Sequence, residues 1–176
     1  MPEEKIVSQQ YIYRGRIVTL RIDNIVLPAS GKITSREIVE HGDCVIIVAI
    51  DGQGNALLVR QFREAVGKTL LELPAGGINP AEDPADCVRR ELQEETGFKP
   101  LKVERLAGFY ASPGFCTEYM HLFLATGLEP SRLYDEDTES IEVEKVPMER
   151  IPQLIADGSI IDAKSIAGLL LAMRRR

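Results

Sequence analysis

GGINPAEDPADCVRRELQEETGF, residues 76–98, joins a turn-rich half to a half with helical spacing, and its last turns carry Glu91, Glu94 and Glu95. Asp83 suits a helix N-cap, Pro84 the first helical position, and Asp86 the first turn, where its charge meets the positive pole of the helix. Gly97 suits the left-handed residue that ends a helix, so the spacing predicts a helix over 84–96. The preceding LPAGGINPAED, punctuated by Gly and Pro, reads as a loop.

On that helix Glu91, Glu94 and Glu95 share an arc of about 100° beside the apolar arc of Ala85, Val88 and Leu92. A solvated face is the ordinary place for glutamates. Their mutual charge argues against it, because unit charges ~6 Å apart repel by ~3 kcal/mol per pair at an effective dielectric of about 20. Arg90 can pair with Glu94 one turn on, but within the helix neither Glu91 nor Glu95 meets a Lys or Arg one turn away. A hard divalent cation would reconcile the three, since Mg²⁺ takes oxygen ligands and binds through a few carboxylates together with substrate phosphates.

Working outward, CVIIVAI and ALLVRQF flank the turn DGQGN and predict a hairpin in the core. Tyr11 to Glu40 reads as extended segments around a turn at Pro28 to Lys32, a small antiparallel unit. Further strands are expected near 69–73, 101–110, 119–126 and 140–146, with an acidic loop, LYDEDTE, before the last. MERIPQLIADG and AKSIAGLLLAMRRR read as helices, the second with Ile166, Leu169, Leu170 and Met173 on one face, and the terminal Arg174, Arg175 and Arg176 as its solvated end. Strands, a helix, strands again and two helices indicate an α+β fold, a mixed α/β sandwich, and not a regular βαβ alternation.

A chain of 176 residues with 44% hydrophobic and 27% charged residues has the composition of a globular domain. Net charge is −6, which disfavours a nucleic-acid surface. MPEEKIVSQQ does not read as a secretory signal, and no apolar run approaches a membrane span, so no membrane partner and a cytoplasmic location are expected. Cys44, Cys87 and Cys116 are too dispersed for a zinc site or a disulfide scaffold and are expected to be reduced.

The spacing Gly76, five residues, Glu82, seven residues, then Arg90-Glu91-Leu92-Gln93-Glu94-Glu95-Thr96-Gly97-Phe98 resembles the Nudix box of the Nudix hydrolases at all its constrained positions. The resemblance implies a Nudix-type α/β/α sandwich with a mixed sheet that cleaves a nucleoside diphosphate linked to another group. It implies that Glu91, Glu94, Glu95 and the carbonyl of Ala75 ligate Mg²⁺, with Mn²⁺ or Zn²⁺ as alternatives, while Glu82, Gly76 and Arg90 orient them. ELPAGGI, VRQFREAVG and SPGFCTEYMHLFLA, with Pro113 about fifteen residues beyond the box, resemble the ADP-ribose pyrophosphatase branch. That branch implies a homodimer that exchanges amino-terminal strands, with residues 1–42 as a dimer-forming β unit and 43–176 as the catalytic domain. It implies a nucleotide-sugar substrate met by Tyr13, Arg36, Arg63 and the Ser112, Pro113, Gly114 turn. It also implies a general base on a loop after the box, for which Glu139 leads Glu136, Asp137 and Glu118. The alternatives are another nucleoside diphosphate derivative as substrate, or a nucleotide-sensing domain that does not cleave.

Overall fold

CVIIVAI is apolar at every position because it is covered on both sides. The computed structural model describes residues 3–175, apart from the side chain of Asp137. In chain order the elements are β1 (Lys5–Arg14), β2 (Val18–Val26), β3 (Ile33–His41), β4 (Cys44–Ile50), β5 (Asn55–Arg63), β6 (Lys68–Glu72), β7 (Ala75–Gly77), α1 (Pro84–Thr96), β8 (Phe98–Tyr110), β9 (Tyr119–Pro130), β10 (Glu142–Pro147), α2 (Ile151–Ala156) and α3 (Ala163–Met173). The chain forms two compact units, one holding the residues up to Asp43 with Phe109–Tyr119, the other holding Cys44–Gly108 and the chain from Met120 onward.

The first unit is an antiparallel sheet ordered β1-β2-β3. β1 begins at Lys5, ahead of the first strand residue expected from sequence. KIVSQQ carries a weak local signal, and pairing with β2 fixes it, as in the bond from Asn24 Nδ2 to Ser8 Oγ at 2.9 Å. The segment Phe109–Tyr119 joins β3 through Val39 N to Phe115 O at 2.7 Å and Thr117 N to Val39 O at 3.0 Å.

The second unit is built on a mixed sheet ordered β10-β5-β4-β9-β8, with β6 beside β5 and β7 beside β4. β4 runs parallel to β9 and antiparallel to β5. Because successive strand residues face opposite ways, Val45, Ile47 and Ala49 pack with Cys87, Val88 and Leu92 of α1. Val48 faces the other way, toward Gly168 of α3, where Leu73 and Leu122 close the packing. Helices on both faces make the sandwich anticipated from sequence. The β4–β5 turn is held by Asp51, whose Oδ1 accepts from the N–H groups of Gln53 and Asn55, both at 2.9 Å. Among the described residues, no helix is long and apolar enough to cross a membrane.

Gly168 sets how closely α3 can approach the sheet. A Cβ there would stand 2.7 Å from Leu73 Cδ1 and 3.0 Å from Leu122 Cδ1. Gly168→Leu is therefore expected to lower the unfolding free energy by about 1–3 kcal/mol through overpacking, measured by urea denaturation. An unchanged midpoint would refute the packing account.

Candidate active site

The predicted helix forms with the predicted ends. The Asp83 carboxylate accepts from Ala85 N–H at 2.8 Å, Pro84 opens α1, and Gly97 closes it at φ 77°. Cys87, Val88 and Leu92 are fully buried against the sheet. That burial takes in two of the acids: Glu91 is 9% exposed and Glu95 6%. They lie inside the stripe rather than at its edge.

What lets them in is β7. Ala75–Gly77 was expected to be loop, yet it is a strand, paired antiparallel to β4 with Ala75 opposite Ile46 and Gly76 opposite Val45. Here β4 supplies hydrogen-bonding partners that local sequence does not reveal. A Cβ on Gly76 would lie 2.0–2.2 Å from the carboxylate atoms of Glu91, so the missing side chain is the space that carboxylate fills. Beside it, Ala75 N–H donates to Glu95 Oε2 at 3.2 Å.

Arg90 ties the cluster together. Its Nε and Nη2 donate to the two oxygens of Glu82 at 2.8 and 2.9 Å, and Nη2 also reaches Gly77 O at 3.0 Å. Nη1 donates to Glu91 Oε1 at 2.5 Å and to Glu94 Oε2 at 3.0 Å. Glu91 thus finds its cation at the adjacent position, not one turn away. Asn79 N–H adds a bond to Glu82 Oε2 at 2.9 Å.

The electrostatics divide the acids into two kinds. The Arg90 hydrogen bonds hold the Glu82 carboxyl down at about 2. Burial raises Glu91, with the neighbouring Glu94 and Glu82 charges adding to it against the pull of Arg90. Burial also pushes Glu95 up to about 8, with the Glu91 charge adding to it. The Cys87 thiol, buried in the same helix, is pushed up to about 12 and is inert as a nucleophile.

Among the described residues, no group of three or more His, Cys, Asp or Glu side chains is placed so that it could hold a metal ion as it stands. The donor chemistry nevertheless suits one. Glu91, Glu94 and Glu95 each keep one oxygen that accepts no hydrogen bond among the described residues. Two of these carboxylates are buried and resist ionisation, and the Gly76 cradle leaves the Glu91 group its space. A hard cation would supply the missing positive charge.

Ala75, Gly76, Glu82, Arg90, Glu91, Glu94 and Glu95 are thus brought together. Arg63 joins them electrostatically, since the Glu95 charge acts on it, while Glu72 takes its Nε at 3.0 Å and its Nη2 at 2.8 Å. The acidic loop is fastened to the end of α1 by Gln93, whose Nε2 donates to Ser131 Oγ at 2.9 Å, and by Ser131 N–H to Gly97 O at 2.9 Å. Within it Glu136 opens a 3₁₀ turn, Tyr134 Oη donates to Glu139 Oε1 at 2.6 Å, and the Asp137 side chain lies outside the described residues. Tyr13, Arg36, Ser112, Pro113, Gly114 and Glu118 belong to the other unit. There Arg36 pairs with Glu4 at 2.8 Å, Ser112 O accepts from Phe115 and Cys116 across the Pro113-Gly114 turn, and Glu118 lies 3.7 Å from His41 Nδ1. The sequence reading passed over Glu72, although a charged residue inside the apolar run TLLEL was a usable signal.

Residues 40–169 match the NUDIX domain. The chain belongs to the Nudix family. It is 38% identical to the ADP-ribose pyrophosphatase of Bacillus subtilis (strain 168) over 166 residues, covering 93% of this chain and 89% of that protein. It is 36% identical to the methanol dehydrogenase activator of Bacillus methanolicus, again over 93% and 89%. Its fold matches a solved ADP compounds hydrolase with a TM-score of 0.91 at 21% identity, covering 99% of this chain and 95% of the other. Nudix hydrolases generally use divalent metals, in keeping with the oxygen-rich donor set of this Nudix helix.

The raised carboxyl of Glu95 gives a signed test. Its contribution to the stability of the metal-free Nudix domain is fully present below its ordinary value of 4.5 and is lost as pH rises through about 8. The stability of wild type minus that of Glu95→Gln should therefore fall between about pH 4.5 and 8 in EDTA, followed by thermal melts. Parallel profiles would refute the assignment. Added Mg²⁺ should raise the wild-type melting temperature more at pH 8 than at pH 5, because at lower pH it must displace a proton.

Proposed function

We propose that this Nudix enzyme hydrolyses the diphosphate of ADP-ribose, or of a related ADP-sugar, to AMP and ribose 5-phosphate. The observation that carries the chemistry is the buried pair Glu91 and Glu95 beside Gly76, carboxyl groups whose ionised form needs the positive charge that a bound cation would supply. The choice of substrate is supported by the likeness to the Bacillus subtilis ADP-ribose pyrophosphatase along nearly the whole chain.

In this reading Glu91, Glu94, Glu95 and the Ala75 carbonyl hold Mg²⁺, with Mn²⁺ or Zn²⁺ as alternatives. When bound, the cation offsets charge on the phosphate oxygens and makes water a better nucleophile. Arg90, fixed by Glu82, keeps Glu91 and Glu94 aimed. The guanidinium of Arg63, fixed by Glu72, grips the diphosphate by paired hydrogen bonds, as does Arg36. Tyr13 stacks on the adenine, and Ser112, Pro113 and Gly114 shape the sugar side. Glu139 is the leading base: it accepts the proton as the water oxygen bonds to phosphorus and the bridging P–O bond breaks. Glu136, Asp137 and Glu118 are the other candidates. A relative named GDP-mannose pyrophosphatase, from Yersinia enterocolitica and 35% identical over 74% of this chain, favours one second reading, a different nucleoside diphosphate derivative as the physiological substrate.

A homodimer in the cytoplasm completes the proposal. Every residue of β1, an edge strand, is exposed, among them Ile6, Val7, Ile12 at 50% and Tyr13 at 58%. A long apolar edge of this kind invites pairing with another chain, and a second copy is the occupant proposed.

Turnover of ADP-ribose, ADP-glucose, NADH and diadenosine compounds with Mg²⁺ is expected to favour ADP-ribose by at least about tenfold in kcat/KM. A tenfold preference for any other compound overturns the substrate. Glu139→Gln should lower kcat by about 10²–10⁴-fold with little change in KM, and a normal kcat would pass the role of base to another acid. Sedimentation equilibrium should give a dimer, and Ile12→Glu a monomer. A wild-type monomer at micromolar concentration would remove the shared-site part of the reading.

A further inference from the structure

Lys164 lies near the start of α3, a long way in sequence from the Nudix helix, and no motif draws attention to it. Its surroundings do. Its ammonium donates to Glu72 Oε2 at 2.5 Å and to Asp162 Oδ2 at 2.9 Å, and its side chain is only 15% exposed. A cation is disfavoured at the positive pole of a helix, and burying an ammonium carries a desolvation penalty that pairing offsets only in part. Apolar residues in place of the whole charged cluster would serve stability as well or better.

The partner explains the placement. Glu72 is 1% exposed, and its two oxygens accept from three donors, Lys164 Nζ together with Arg63 Nε and Nη2. Burial alone would raise the Glu72 carboxyl, yet the two cations hold it lowered and ionised. Glu72 is therefore a fixed anion that clamps one edge of the Arg63 guanidinium. Nη1 of Arg63 makes no hydrogen bond among the described residues, which leaves the other edge for a ligand. Arg63 and Lys164 both act on the charge of Glu95, which puts the clamp within electrostatic reach of the metal-binding face. Ser165 reinforces the arrangement: its Oγ accepts from Leu73 N–H at 2.7 Å and donates to Asp162 at 2.5 Å, fastening α3 to the residue after Glu72.

We propose that Lys164 is a positioning residue, which acts through the buried Glu72 to set the free edge of the Arg63 guanidinium toward the substrate's diphosphate. The inference rests on the proposed substrate class.

The test is a double-mutant cycle on the full chain: Lys164→Met, Arg63→Lys, both together, and the conservative Lys164→Arg. ADP-ribose binding is titrated in EDTA, where no turnover is expected, and kcat and KM are measured with Mg²⁺. Lys164→Met should weaken binding and raise KM by about tenfold while kcat changes less than threefold. Lys164→Arg should stay within threefold of wild type, and the double variant should bind no worse than twofold below Arg63→Lys alone. Unchanged binding by folded Lys164→Met, or losses that multiply in the double variant, would overturn the proposal. Should Lys164→Met fail to fold, Lys164→Gln takes its place. A chain that folds with neither replacement shows a role in folding rather than in positioning, which also overturns it. Wild type that neither binds nor cleaves ADP-ribose refutes the substrate reading instead, and the coupling is then read with inorganic pyrophosphate.

Discussion

Two glutamates on the buried side of a helix are the constraint around which the second unit is arranged. Glu91 and Glu95 occupy the face of α1 that continues the apolar contact of Val88 and Leu92. A carboxylate there loses solvation and gains its neighbour's charge, and both effects favour the neutral acid. The backbone must therefore leave the carboxylates room and supply donors. Gly76 does the first by having no side chain, and Ala75 N–H with Arg90 does the second. Gly76 and Ala75 are held in place by the pairing of β7 to the central strand β4.

Around these acids the charges are graded. Glu82 and Glu72 each meet the paired donors of an arginine and stay ionised as anchors. Glu91 and Glu95 are left short of positive charge. Anchors fix geometry, whereas the undersupplied pair stores a demand that a cation and an anionic substrate can meet together. Arg90 and Arg63, each with one edge filled by its anchoring glutamate, mark the boundary between these kinds.

Much of this was legible in the chain. The ends of α1 could be read because Asp83, Pro84 and Gly97 act through bonds within a few residues of themselves. The place of β4 in a core hairpin followed from an unbroken apolar run. The start of β1 and the strand character of Ala75–Gly77 did not, because both are fixed by partners distant in sequence. Local propensity in KIVSQQ is weak and in PAGG points to a loop. The clamp on Arg63 was hidden for the same reason, since Lys164 reaches Glu72 only after α3 has docked.

The sequence by itself determined the chemistry that this protein carries: which carboxylates share a helical face, how that helix starts and stops, and which family spacing it follows. Those properties depend on intervals of three to seven residues, which the geometry of one helix converts directly into positions in space. Only the tertiary structure decided which acids are buried, which are held ionised, and which cations hold them. Those outcomes depend on desolvation and on hydrogen bonds between elements, and both exist only once β7, β6 and α3 have come to rest against the sheet.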